Sequence, residues 1–132
     1  MTRVLVIEDD ERTRRLYKAG LGFQGIKVTA VSNVKTGFKK LISEEPDLII
    51  LDIMLPKTEG EDFIKEAKKH GKQYSLPVII VSDLKDESIR KEASILGACE
   101  YLVKSEHSIG DIITRVRKIL NISEGEGPAK GK

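Results

Sequence analysis

The stretch Asp47-Leu48-Ile49-Ile50-Leu51-Asp52-Ile53-Met54-Leu55-Pro56 decides the fold of this chain. Four apolar residues run straight into a carboxylate, and Pro56 closes the segment. A continuous apolar run of this length reads as a strand buried on both faces, the pattern of a parallel sheet covered by helices. An ionised carboxylate left inside such a strand without partners is too costly to keep. Asp52 is therefore expected at the open carboxyl end of its strand, where α/β folds place their ligands and chemistry.

Outward from this strand, strand-like and helix-like stretches alternate. Val4 to Ile7 is a short β-branched strand. Glu11 to Phe23 reads as a helix with Leu16, Tyr17, Gly20 and Leu21 on one face and Arg12, Arg14, Arg15 and Lys18 largely on the other. Ile26 to Val31 is a second strand. Ser32-Asn33 then caps a helix with the apolar stripe Val34, Phe38, Leu41 and Ile42, which Gly37 weakens by up to about 1 kcal/mol relative to Ala. Beyond the loop from Leu55 to Gly60, a helix from Glu61 to His70 buries Phe63, Ile64 and Ala67. Pro77 to Val81 is the fourth strand. Asp86 to Leu96 is a helix stopped by Gly97, Glu100 to Val103 is the fifth strand, and Ser108 to Leu120 is the last helix, with Ser108 and Asp111 fitting a capping box. Five strands alternating with five helices predict a flavodoxin-like, doubly wound (βα)5 fold. Its five-stranded parallel sheet takes the order 2-1-3-4-5.

Composition sets the bounds. At 132 residues the chain makes one domain, predicted over 1–121, with a disordered Gly- and charge-rich tail over 122–132. The 23 basic and 21 acidic residues nearly balance, which argues against a nucleic-acid surface. No stretch approaches a membrane span, and the apolar start at Val4 is too short for a signal peptide. The single Cys99 cannot form an internal disulfide, reads as packing, and suits a reducing cytoplasm. His70 reads as a surface helix terminus, and His107 as a loop residue near the site with no part in its chemistry.

The carboxyl ends of the strands carry the chemistry. The first offers Glu8-Asp9-Asp10, the third Asp52, the fourth Ser82-Asp83 and the fifth Lys104, all converging on one crevice in a doubly wound sheet. Asp10 is better placed to cap the first helix than to act in the site. Clustered carboxylates repel unless one is protonated or a cation bridges them. Oxygen-only ligands favour a hard ion such as Mg²⁺, which keeps open positions for phosphate oxygens. A lysine opposite the ion balances remaining phosphate charge, and a hydroxyl bonds another oxygen. Such a crevice suits phosphoryl transfer, in which a carboxylate can itself be the nucleophile. Asp52 is the candidate, because Glu8 and Asp9 are better placed as metal ligands.

With these residues in order, the chain resembles the receiver domain of bacterial two-component response regulators, over about residues 3 to 120. The resemblance rests on Glu8-Asp9-Asp10, on Asp52 to Pro56 with Gly60 following, on Val81-Ser82 and on Tyr101-Leu102-Val103-Lys104. It implies that Asp52 accepts a phosphoryl group from a histidine kinase or histidine phosphotransfer protein. It further implies Mg²⁺ held by Asp9, Asp52 and the Met54 backbone carbonyl, with Glu8 acting partly through water. Lys104 would pair with the phosphoryl group, and Ser82 would swing toward it as the switch hydroxyl. Tyr101 would follow as the switch aromatic, altering the face built from the fourth helix, fifth strand and fifth helix, where an output protein docks. The expected protein is cytoplasmic, monomeric or a phosphorylation-dependent dimer, and makes no direct contact with nucleic acid or membrane. It is not a turnover enzyme on an external substrate, although it promotes its own aspartyl phosphorylation and dephosphorylation.

Two positions depart from the family pattern. Ser105 follows Lys104 where the family commonly has proline behind a cis peptide. A cis bond before a non-proline residue costs about 2.5–4 kcal/mol, and the residues alone leave the cis or trans state and the pose of Lys104 open. Asp83 adds a carboxylate at the pocket mouth, read as slowing or restricting the phosphodonor or, alternatively, as binding a cation or Lys85. The competing readings are a phosphorylation-independent receiver-like adaptor, an aspartyl-nucleophile phosphatase and a flavin-binding flavodoxin. Met54 stands where a dehalogenase-type phosphatase has its second acid, and acids follow the first strand where a flavodoxin has its phosphate loop.

Overall fold

The structure, a computed structural model, describes residues 2–52, 57–70 and 76–121, and the side chains of Lys57, Thr58 and His70 fall outside that description. The order is β1 (Arg3–Glu8), α1 (Glu11–Phe23), β2 (Lys27–Val31), α2 (Val34–Glu44), β3 (Leu48–Asp52), α3 (Lys57–His70), β4 (Val78–Ser82), α4 (Glu87–Leu96), β5 (Glu100–Val103) and α5 (Ile109–Ile119). All strand pairs are parallel, in the order β2-β1-β3-β4-β5. Every residue of β3 is buried, as its apolar run requires, whereas the edge strand β2 buries only Val31.

Side-chain alternation divides the core into layers. Val4, Val6, Leu48, Ile50, Ile79, Val81 and Leu102 pack with Tyr17 and Leu21 of α1 and with Ile112 and Val116 of α5. Leu5, Ile7, Ile49, Leu51 and Val78 point the other way, onto Leu41 of α2 and Phe63, Ile64 and Ala67 of α3. Tyr101 and Val103 pack on Ala93 of α4. This parity fixes where the strand-end residues point. Asp52 continues the series of Leu48 and Ile50, and Glu8 that of Val4 and Val6. Both are thus directed into the layer lined by α1.

Local signals set the helix ends. Asp10 caps α1, accepting from Thr13 N–H, and Asn33 caps α2, accepting from Thr36 N–H. Asp86 caps α4, and Gly97 ends it at φ 108°, a left-handed conformation that favours glycine. Ser108 and Asp111 form the capping box of α5. Gly37 has a packing reason that offsets its low helix propensity: a Cβ there would lie 2.6 Å from Ile7 Cδ1, so the glycine lets α2 approach β1.

Several expectations are corrected. Leu16 and Ile42, read as core-facing, are 49% and 62% exposed, because each lies at the margin of a stripe narrower than the sequence suggests. Cys99 is exposed, beyond the turn that ends α4. Helix α3 begins at Lys57, so the end of the predicted loop is already helical. A short 3-10 turn over Lys104–Glu106, not anticipated, follows β5. There is no cis peptide among the described residues, so Lys104-Ser105 is trans. Among the described residues no helix is long and apolar enough to cross a membrane. The backbone carbonyl of Met54 and the tail over 122–132 lie outside the described residues.

Candidate functional site

The ends of β1, β3 and β5 bring three of the expected residues together. Glu8 and Asp52 are register partners on adjacent strands, and both are buried, at 0% and 1% exposure. Lys104 reaches them from β5: its Nζ lies 2.7 Å from Asp52 Oδ1 and 3.5 Å from Glu8 Oε1. Among the described residues, the Lys104 ammonium is the group that faces the buried Asp52 Oδ1. Asp52 Oδ2 is engaged differently. The Tyr17 hydroxyl, from the buried face of α1, donates to it at 2.6 Å.

The electrostatics follow from crowding charge in a dry place. Burial, and next the neighbouring Asp9 carboxyl, push Glu8 up to about 8, although the Asp10 N–H donating at 3.1 Å to Glu8 Oε2 pulls the other way. Partial burial works against the charge on Lys104, but Asp52 and Glu8 outweigh it and hold its ammonium above the usual lysine range. Burial, then the negative charge of Asp52, push the Tyr17 phenol up, so it remains a donor. Asp9 itself is exposed at the mouth of the site.

Two buried carboxyl groups paired in register on adjacent strand ends, Glu8 and Asp52, are what a hard cation would satisfy. Among the described residues, no group of three or more His, Cys, Asp or Glu is arranged to hold a metal by side chains alone.

The 2-1-3-4-5 sheet and its sequence have known counterparts. A family model described as the response regulator receiver domain matches residues 4–117. The chain belongs to that family. It is 34% identical over 120 residues to the KDP operon transcriptional regulatory protein KdpE of Escherichia coli, an alignment covering 91% of this chain and 52% of that protein. It is 33% identical over 128 residues to the alkaline phosphatase synthesis transcriptional regulatory protein PhoP of Bacillus subtilis, covering 96% of this chain and 52% of the relative. The receiver therefore spans about half the length of these curated relatives. Among solved structures it is similar to a CheY-like receiver domain protein from Methanospirillum hungatei, with a TM-score of 0.81 at 25% identity, covering 96% and 99% of the two chains. The Francisella response regulator 1452 receiver domain matches with a TM-score of 0.79 at 28% identity, covering 92% and 98%.

The remaining expected residues of the receiver lie on its β4–β5 side. Ser82 ends β4 in the alternation of Val78 and Ile80, and its Oγ accepts from Leu84 N–H at 3.0 Å. Tyr101 is buried against α4, and its hydroxyl donates to the Leu84 carbonyl at 2.9 Å. The Arg90 guanidinium stacks 5.3 Å from the Tyr101 ring centroid. Both side chains thus hang on one loop residue. Asp83 is exposed at the loop, and Lys85 pairs with Glu106 at 2.7 Å across the mouth.

Two residues near the site were missed. Arg14, read as a solvated helix residue, donates from Nη1 to the Glu8 carbonyl at 2.7 Å. Tyr17 was read as core alone. A signal for it was present: a phenol on a buried helical face needs a partner for its O–H.

Proposed function

We propose that this receiver accepts a phosphoryl group on Asp52 from a partner histidine kinase or histidine phosphotransfer protein, and that phosphorylation switches an output partner docking on the face of α4, β5 and α5. The observation that carries the reading is the Asp52 carboxylate, buried beside Glu8 and faced by Lys104 at 2.7 Å. That carboxylate is the nucleophile, and the Lys104 ammonium neutralises charge on the arriving phosphoryl oxygens. Asp9 and Asp52, with Glu8 partly through water and the Met54 carbonyl, would hold Mg²⁺. When bound, the ion supplies neutralisation of the phosphoryl charge and fixes its orientation.

The switch works through Leu84. Ser82 and Tyr101 bind the N–H and the carbonyl of that one residue. Turning the Ser82 hydroxyl toward a phosphoryl oxygen releases the Leu84 N–H, and the loop that carries the Tyr101 anchor shifts with it. The face beside α4 changes as a result. The protein works in the cytoplasm, as a monomer or a phosphorylation-dependent dimer, and turns over no external substrate because its own aspartate is the acceptor.

The test is intact mass after incubation with acetyl phosphate and Mg²⁺. A gain of one phosphate, lost on chelation of the metal and lost in Asp52→Asn, is expected. No gain with acetyl phosphate or phosphoramidate would sink the reading and leave the receiver fold acting as a phosphorylation-independent adaptor.

A further inference from the structure

Tyr17 has no place in the chemistry described so far, yet it makes the most buried polar contact of the site. Its side chain is fully buried among Val6, Leu48, Ile50 and Ile112, and its hydroxyl donates to Asp52 Oδ2 at 2.6 Å. The contact follows from the fold: alternation along β3 sends Asp52 to the α1 side of the sheet, and the helical period turns Tyr17 inward onto it. The two oxygens of Asp52 therefore differ. Oδ2 is held in the core by a neutral donor. Oδ1, itself buried, faces the charged Lys104 ammonium at 2.7 Å, on a lysine whose side chain is 32% exposed.

We infer that Tyr17 is a positioning residue that selects Oδ1 as the nucleophilic oxygen and biases Asp52 toward its unphosphorylated form. The inference rests on the phosphoacceptor reading of Asp52. With acetyl phosphate as donor, Oδ1 forms the new bond to phosphorus with a lone pair. The bond from phosphorus to the acetate oxygen breaks, and acetate leaves with that electron pair. No proton is transferred. Oδ2 changes from half of an anionic carboxylate into the carbonyl oxygen of an acyl phosphate. A hydrogen bond to an ionised acceptor is about twice as strong as one to a neutral acceptor. The phenol therefore stabilises the free carboxylate more than the acyl phosphate.

The same donor assists loss of the phosphate. Water attacks phosphorus, the bond from phosphorus to Oδ1 breaks, and the electron pair returns to Asp52 as the carboxylate re-forms. The displaced water protons remain on inorganic phosphate. Negative charge grows on the Asp52 carboxyl group in this step, and Tyr17 O–H is already aimed at it.

Tyr17→Phe keeps the ring and removes only the hydroxyl, so it separates packing from hydrogen bonding. Two rate constants are read by intact mass in wild type and variant: phosphorylation by acetyl phosphate with Mg²⁺, and loss of the phosphate after the donor is removed. The ratio of phosphorylation to loss is expected to rise by about five- to tenfold in Tyr17→Phe, with a longer-lived phosphorylated state. Site-specific 3-fluorotyrosine at position 17, a stronger donor on a nearly identical ring, is expected to lower the ratio. It also supplies the answer if the phenylalanine variant folds poorly. A ratio within about twofold of wild type in a folded variant, or a shift in the opposite direction, overturns the inference. A wild-type protein that takes up no phosphate identifies a different failure, that of the phosphoacceptor reading itself.

Discussion

Tyr17 and Tyr101 lie on opposite sides of the same sheet, both with buried rings and both with satisfied hydroxyls, yet they are held in contrasting ways. Tyr17 donates to the Asp52 side chain in the layer of α1 and α5. Tyr101 donates to the backbone of an exposed loop residue in the thinner layer under α4. The first phenol is surrounded by acids and by a core that surrenders nothing easily. The second borders a small cluster, a loop and the Arg90 guanidinium. A group tied to a charged side chain inside a close-packed layer can tune that group but has little room to move. A group tied to a loop carbonyl can leave when the loop moves. On the proposed function, the difference separates the chemical half of the site from its switching half.

Breaking each anchor is expected to give effects of different size. Tyr17→Ala should cost about 3–5 kcal/mol, the range for deleting a fully buried aromatic, measured by denaturant unfolding in wild type and variant. Tyr101→Ala should cost clearly less, because its cluster is small. A larger loss at Tyr101 than at Tyr17 would invert the comparison.

The acids around Tyr17 supply the next effect. Glu8 moves from 4.5 to about 8 in the folded protein. An unfolded chain releases that proton near its ordinary value while the folded chain keeps it, so the folded state binds more protons between the two values. Stability of the metal-free protein therefore falls as pH rises through that window and levels off above it. Glu8→Gln should remove this slope and stabilise the protein in EDTA at pH above about 8 by more than about 1 kcal/mol, as followed by thermal unfolding across pH. An unchanged slope in the variant would show that the acids beside Tyr17 do not carry the cost assigned to them.

The switching half should respond more weakly. Tyr101→Phe loses one hydrogen bond to a backbone carbonyl, a change of about 0.5–1.5 kcal/mol in unfolding free energy. Chemical shifts of the loop after β4 should move more than those near β1. Smallest of all, Lys85→Ala removes an ion pair whose two side chains are 73% and 41% exposed, and the melting temperature should stay within experimental error.

The architecture was legible because its strands are short apolar runs and its helices carry capping residues at the right spacing. Asp10, Asn33 and Ser108 cap where their sequence context implied. Glu8, Asp52 and Lys104 were legible because each sits at a strand end where a charge could not otherwise be tolerated. The misreadings share a cause. Leu16 and Ile42 were given to the core because a hydrophobic stripe states which face is buried but not how wide the covering layer is. Tyr17 escaped for the complementary reason. Its helix predicts a buried face, while only the parity of β3 tells which strand-end residue that face will meet, and parity relates two elements 35 residues apart. The 3-10 turn after Lys104 follows from a local peptide geometry that residue pattern does not encode.

The central claim is that Asp52, beside Glu8 and Lys104, is the residue that carries the phosphoryl group. Borohydride reduces an acyl phosphate to the alcohol, so a phosphorylated aspartate becomes homoserine and can be located by peptide mass mapping. After treatment with acetyl phosphate and Mg²⁺ followed by borohydride, homoserine is predicted at position 52 and at no other acid of the site. Homoserine at Glu8's neighbour Asp9 or at Asp83 with position 52 intact, or no homoserine in a protein that gained phosphate, would contradict the account.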